Sequence, residues 1–199
     1  MRDTPTASPT PPAASSLRLW LLAGLALIAL QAVTLLAMGQ PLICACGYVK
    51  LWHGAVSSPE TSQHLTDWYT YSHVLHGFIF YAALWLIAPK SPIGLRLVVA
   101  LGVEIGWELL ENSPLIIERY RQSALAQGYT GDSVLNSLAD TLAAATGFAL
   151  AHRFSARVVI AAMIVIELAM LWLVRDNLTL NILQLVAPSE TISKWQTGG

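Results

Sequence analysis

The chain carries a set of ionisable and amide side chains whose spacing is that of helix faces. His73 and His76 are three apart, so they share a face. Glu104, Glu108 and Glu111 follow at steps of four and three, which makes one stripe on a helix. Asp132, Asn136 and Asp140 repeat at steps of four, and Glu167 stands alone further on. Imidazoles and carboxylates aimed inward from facing helices are the donor set with which bundles build metal centres. His73, His76 and Glu108 can hold one divalent ion such as zinc and leave a position open for water, with Glu111 or Asp132 as the base acting on that water. Arg119 and Arg121 can offer paired N–H donors to an anionic head group, and Glu104, Asn136 and Asp140 would line the same pocket. The substrate expected of such a site is a membrane lipid or an envelope precursor.

Two other readings of these residues stay open. Acids at graded depth can relay protons or a solute. They can also pair with histidines and arginines and hold helices together as a structural network, in a scaffold or assembly factor without catalysis. The relay has little to continue it, because the halves of these helices away from the cluster carry almost no acids. The sequence has His73-x-x-His76 and Glu108-x-x-Glu111 but no Glu-x-x-His, the motif of di-iron bundles. Haem is not expected, since His152 lies at the opposite end from His73 and His76. Neither a phosphate-cradling glycine loop nor a Gly-x-Ser-x-Gly elbow is present, so no nucleotide is expected.

The elements that must position these groups are apolar. Of 199 residues, 55% are hydrophobic and 12% charged, about half the charge of a soluble domain; mean hydropathy is +0.55. Water cannot be the solvent for most of this surface. A net charge of −1 gives no electrostatic reason for a nucleic-acid partner, and seven tryptophans suit a membrane interface. The expected fold is therefore all-α, a polytopic transmembrane bundle of about five spans over residues 17–176. Those spans are Leu17–Met38, Ser72–Ala88, Ile93–Glu111, Ser133–Ala151 and Ala156–Val174, each close to the ~20 residues a bilayer requires. The Pro/Thr/Ser-rich residues 1–16 read as a disordered tail. Residues 177–199 read as an interfacial or flexible segment, in which 178–187 is too short to span. A cleaved signal peptide is the rival to the first span, but its apolar run exceeds the 7–15 residues usual there.

Residues 39–71 and 112–131 read as polar loops. Short basic turns hold Lys90, Arg96, Arg153 and Arg157 on the side of Arg2 and Arg18, and the positive-inside rule makes that side cytoplasmic. Lys50, Arg119, Arg121, Arg175 and Lys194 lie among acids in the opposite loops. The expected localisation is the cell inner membrane, with the N-terminus cytoplasmic, the C-terminus periplasmic and every chemical group above at the periplasmic end. Cys44 and Cys46 are too close to staple anything and read as two unpaired small hydrophobes. His53 and His64 read as surface residues of an aromatic loop, Asn112-Ser113-Pro114 as a helix stop, and Gly102, Gly106 and Gly147 as close-packing positions.

The blocks ICACG (43–47), SQHLTDWYTYSHVLHGFIFY (62–81), WELLENSPLIIERYR (107–121) and YTGDSVLNSLADTLAAATGF (129–148) resemble a bacterial family, the uncharacterised protein family numbered 0314, also known as the domain of unknown function numbered 2585. The resemblance implies a multi-pass cell-membrane protein and carries no activity with it. The block GDSVLNSLADTLAAATG also loosely resembles the Asp/Asn/Gly pattern of VanZ-like membrane proteins.

Overall fold

The computed structural model describes residues 14–198, so residues 1–13 of the tail expected over 1–16 lie outside the described residues, and 14–16 belong to the first helix. Eight helices follow in order: α1 Ala14–Ala37, α2 Thr70–Ile87, α3 Ile93–Glu111, α4 Pro114–Arg121, α5 Val134–Arg153, α6 Ala156–Val174, α7 Leu178–Val186 and α8 Glu190–Gln196. Among the described residues no β-strand forms; one isolated bridge joins His53 and Asp67. Four helices, α1, α2, α5 and α6, are long and apolar enough to cross a membrane. The fifth expected span, α3, has 19 residues but carries Arg96 and three glutamates, which keeps it outside that apolar set.

The distribution of burial is that of a protein in lipid. Buried side chains include Gln31, His73, Glu104, Glu108, Asn136 and Asp140, whereas Trp172 is 87% exposed and a belt of Leu, Ile and Val on α1 and α6 faces outward. Polar atoms gather inside because hydrocarbon offers them no partner. α2 and α5 form the tightest pair. A Cβ placed on Gly77 would lie 2.6 Å from the Phe148 nitrogen and nearer still to the Ala144 carbonyl, and one on Gly147 would press on the Val74 carbonyl. Gly147 therefore packs as expected. Gly102 and Gly106 do not, since a Cβ at either would meet nothing within 4 Å. Gly77 takes their place.

α1 is bound into the bundle by its one buried amide. Gln31 Nε2 donates to Ser137 Oγ (2.8 Å) and Thr141 Oγ1 donates to Gln31 Oε1 (3.0 Å). These contacts pack α1 against α5. At the other end of the molecule the loops close on one another. Gln63 Nε2 donates to Gly131 O, Val134 N–H to Pro41 O, and Tyr69 Oη to Asp176. Residues 39–69, 112–133 and 175–198 therefore cap the same end, while the short turns at 88–92 and 154–155 lie at the other, where Tyr81 Oη meets His152 Nδ1 at 3.3 Å.

Several loop expectations are corrected. Residues 114–121 are helix α4, because Pro114 occupies its first turn, where a missing N–H costs nothing. Within 177–199, read as an interfacial or flexible segment and not as a loop, residues 190–196 form α8, started by Ser189 accepting from Ile192 N–H. Cys44 and Cys46 are bonded to each other rather than unpaired, with Cα atoms 5.1 Å apart, inside the range a disulfide spans. His53 and His64 are buried rather than surface residues. His64 Nε2 lies 3.0 Å from Glu60 Oε2, and the Lys50 ammonium stands 2.6 Å from Glu60 and 3.3 Å from His53 Nδ1. Glu167 stays apart from the central cluster. Its carboxylate accepts from the N–H groups of Leu178 and Thr179 and so caps α7, where a helix N-terminus favours negative charge.

Candidate metal centre

His73 is the hub of the buried polar cluster. Its position on the first turns of α2 puts it opposite the acidic stripe of α3 and the acidic face of α5. Its Nδ1 lies 2.6 Å from Glu104 Oε1 and 3.2 Å from Glu108 Oε1, and its Nε2 lies 3.8 Å from Asp140 Oδ2. His76, one turn on, approaches the other oxygen of Glu104 at 3.0 Å. Two overlapping donor trios result, each with its ligand atoms within 4.8 Å of one another: His73, His76 and Glu104, and His73, Glu108 and Glu111. Glu104, not Glu108, is the carboxylate that joins both imidazoles. Donors on a tetrahedral zinc with arms of ~2.0–2.1 Å stand roughly 3.3 Å apart. The His73–Glu108 and His76–Glu104 separations of 3.2 and 3.0 Å are near that, whereas the 2.6 Å His73–Glu104 contact is a hydrogen-bond distance that would have to lengthen around an ion.

Behind the hub, polar contacts run to α1. Ser137 Oγ donates to Glu108 Oε2 (2.6 Å) and accepts from Gln31. In front of it, Asp132 is fixed by a two-way pair with Asn112. Asn112 Nδ2 donates to Asp132 Oδ2 and the Asp132 N–H donates to Asn112 Oδ1, both at 2.7 Å. Tyr129 Oη donates to Asp132 Oδ1 at 2.8 Å. Gly131 makes this fit possible. Its φ of +96° is open to glycine, and a Cβ there would lie 2.9 Å from Asn112 Oδ1. Burial pushes the Asp132 carboxyl up to about 6, against the pull of those two donors.

The cluster opens into two spaces. A polar chamber of about 60 Å³ is lined by His73, Glu111, Asp132, Asp140, Arg119 and the hydroxyls of Tyr69, Tyr120 and Tyr129, among others. A second, largely apolar cleft of about 340 Å³ runs along α2, α3 and α7 past His76, Phe80, Val103 and Trp107. Glu104, Glu108 and Asn136 are fully buried and line neither space. Arg119 reaches the chamber while its Nε donates to Leu185 O at 2.9 Å; Arg121 instead donates to Tyr129 O at 2.7 Å and does not line it.

The charge of the cluster is unbalanced. Among the described residues no Lys or Arg makes an ion pair with Glu104, Glu108, Glu111, Asp132 or Asp140; His73 and His76 alone face them. Five carboxylates against two imidazolium groups leave three negative charges if all ionise. Asp140 Oδ1 and both side-chain atoms of Asn136 are also buried without a hydrogen-bond partner, and Glu108 Oε1 has only the His73 Nδ1 that Glu104 already engages at shorter range; buried polar groups in native proteins are normally paired. The arrangement is short of positive charge and of donors. The outer cluster of His53, Glu60 and His64 is the opposite case. The Lys50 ammonium already sits among its donors, and hydrogen bonds from Lys50, His64 and Tyr48 hold the Glu60 carboxyl down at about 2.

Sequence reasoning missed Asn112, Tyr129, Ser137 and Gln31 as members of this site. Asn112 lies four beyond Glu108 and so continues that stripe at helix spacing, whereas Ser137, one residue beyond Asn136, points about 100° away and carries no such signal. Gln31 gave a signal as the lone amide in an apolar run; its partners did not.

The family model described as "Protein of unknown function (DUF2585)" matches residues 35–198. Curated relatives called UPF0314 proteins include one from Sphingopyxis alaskensis, 54% identical over 180 residues (90% of this chain and 95% of the relative). Another, from Sinorhizobium fredii, is 48% identical over 180 residues (90% and 91%), and one from Paracoccus denitrificans is 52% identical over 169 residues (85% and 88%). No solved structure matches the chain.

Proposed function

The chain belongs to the DUF2585 protein family, and from its geometry we propose that it is a multi-pass inner-membrane protein whose periplasm-facing pocket binds a divalent metal and acts on a lipid or an envelope precursor. The N-terminus is cytoplasmic and the C-terminus periplasmic in this reading. It rests on the short basic turns at one end and the capped, acid-bearing loops at the other. His73 and His76 are the nitrogen ligands, with Glu104 and Glu108 as the carboxylates that reach His73. The observation that carries the metal is the undercompensated cluster: five carboxylates against two histidines, no Lys or Arg partner among the described residues, and Asp140 Oδ1 buried without a donor. A divalent cation supplies both the missing charge and the missing electrophile.

The chemistry then follows from what faces the chamber. Metal binding acidifies a bound water. Glu111 and Asp132, which line the chamber, are the bases within reach of it, and a carboxyl raised to about 6 is closer to the working pH than an ordinary aspartate. Arg119 gives the chamber its one guanidinium, suited to an anionic head group; Asp140 lines the same chamber.

A second reading has one observation in its favour: His73 and His76 already bridge to Glu104 by hydrogen-bond distances, which would suffice for a structural network in a non-catalytic scaffold. Glu104→Gln separates the two. The metal reading expects normal abundance in the membrane with zinc affinity lowered by more than the roughly 10–100-fold that losing a ligand's supporting partner costs. A loss of folded protein with no change in metal content would support the scaffold and overturn the metal reading.

A further inference from the structure

The apolar cleft beside the centre is not accounted for by metal binding, and its position says what fills it. It is walled by Ile79 and Phe80 of α2, Val103 and Trp107 of α3, and Leu178 and Ile182 of α7. Ile79 and Val103 are 42% and 52% exposed, so the cleft opens through the side of the bundle, on a surface that lipid covers. From Val103 to Glu111 is eight residues along α3, about 12 Å of helix at 1.5 Å per residue. At its upper end the cleft shares Tyr69, His73, Glu111, Tyr120 and Asn181 with the polar chamber. One space is apolar, side-opening and about 340 Å³; the other is polar, holds Arg119, and lies over the first. That division matches an amphiphile, with its chain below and its head above, and the junction of the two falls at His73 and Glu111.

We propose that the cleft between α2, α3 and α7 seats one hydrocarbon chain of an anionic membrane lipid, which enters sideways from the bilayer and presents its head group to the polar chamber. The proposal rests on the reading of the chamber as a lipid-directed site and names the substrate class of that site. Arg119 is the chamber's only guanidinium, and the carboxylates around it would repel an anion unless the metal is present. Chain seating therefore does not require the metal, whereas head-group preference does.

The test uses the full chain in nanodiscs containing phosphatidylglycerol with a diazirine in mid-chain, and a parallel set with the phosphatidylcholine analogue. Adducts are mapped by peptide mass spectrometry before and after treatment with a chelator. We expect labelling at Ile79 and Val103 to exceed that at Trp172 and Leu173, outward residues of α6, by about tenfold, a site preference of ~1.4 kcal/mol. Val103→Trp, which fills the cleft from its open side, brings it down to the α6 level, and phosphatidylglycerol labels more than phosphatidylcholine only when metal is bound. Labelling of the cleft no stronger than that of α6, or unchanged in Val103→Trp, overturns the chain seat. Equal labelling by the two lipids with metal bound overturns the anionic head group. Cleft labelling in a protein that binds no metal sinks the metal reading and leaves the chain seat standing; bound metal without cleft labelling does the reverse.

Discussion

Substituting Gly147 by alanine should disturb the centre from a distance, and the size of the effect can be worked out. Gly147 and Gly77 face each other across α2 and α5, each occupying the space a side chain on the other helix would need. A Cβ on Gly147 would lie 3.0 Å from the Val74 carbonyl carbon and nearer to its oxygen. Ordinary carbon contacts stand at ~3.5–4.0 Å, so the two backbones must part by about an ångström. Helix backbone cannot yield as a flexible side chain can, and overpacking of this kind costs roughly 1–3 kcal/mol. For a chain of this length that is a fall in Tm of roughly 2–12 °C, at 2–4 °C per kcal/mol. The same displacement acts on His73, one residue before Val74. Its 3.8 Å approach to Asp140 and its short contacts to α3 would open, and we expect zinc affinity to fall on the order of 10–100-fold, as when a ligand loses its support. Gly102→Ala is the control, since a Cβ there meets nothing within 4 Å. Its Tm should hold or rise slightly, because alanine favours helix over glycine by up to ~1 kcal/mol. Thermal unfolding and zinc titration of the two variants in detergent decide it. Equal Tm and equal zinc affinity for Gly147→Ala and Gly102→Ala would refute the tight α2–α5 contact and its link to the site.

Gln31→Leu keeps the volume of the α1 anchor but strips Ser137 and Thr141 of their amide partner. It should cost about 1 kcal/mol, near the measured scale of interhelical hydrogen bonds in membranes, read from detergent unfolding; no loss would mean α1 is not held through Gln31. The metal-free protein should be most stable toward acid. Burial raises Asp132 and Asp176 to about 6, above the ~3.9 of an unfolded aspartate, so the fold binds extra protons between about pH 4 and 6. Stability then falls as pH rises through that window, by roughly 3 kcal/mol for each group. Asp176→Asn should remove about half of that fall in chelator-treated samples, and a stability that rises from pH 4 to 6 would contradict it. Cys44 and Cys46 should resist a thiol label until reduced and then take two labels. Because their ring is so short, losing the bond should cost only ~1.6 kcal/mol by loop closure; labelling without reductant would show that the pair is open.

The five long helices were legible because each is a largely apolar run stopped by proline, glycine or charge, whereas the short α4 and α8 carry no such run. Ala156–Val174 and Ile93–Glu111 were bounded to the residue. The gathering of polar groups at one end was legible too, since helix spacing places His73 with His76 and Glu104 with Glu108 without knowledge of their neighbours. Which carboxylate meets which histidine was not. That depends on the axial register of α3 against α2, because Glu104 and Glu108 share a face and stand one turn, about 6 Å, apart. The outer loop was misread for a related reason. His53 and His64 looked like surface residues because no periodicity marks them, yet three loops close over that end and bury them against Glu60 and Lys50. Gly102 and Gly106 show the same limit: small residues signal close packing only on the face that meets a helix.

The central claim is that the His73 cluster holds a divalent metal. X-ray absorption at the zinc edge, on detergent-purified protein loaded with zinc and freed of excess, tests it directly. The account predicts about one bound zinc per chain, with two imidazole nitrogens and one or two carboxylate oxygens at ~2.0–2.2 Å, and loss of the imidazole signal when His73 and His76 are both replaced by alanine. Less than about a tenth of an equivalent of bound metal, or an unchanged spectrum in that double variant, would contradict it.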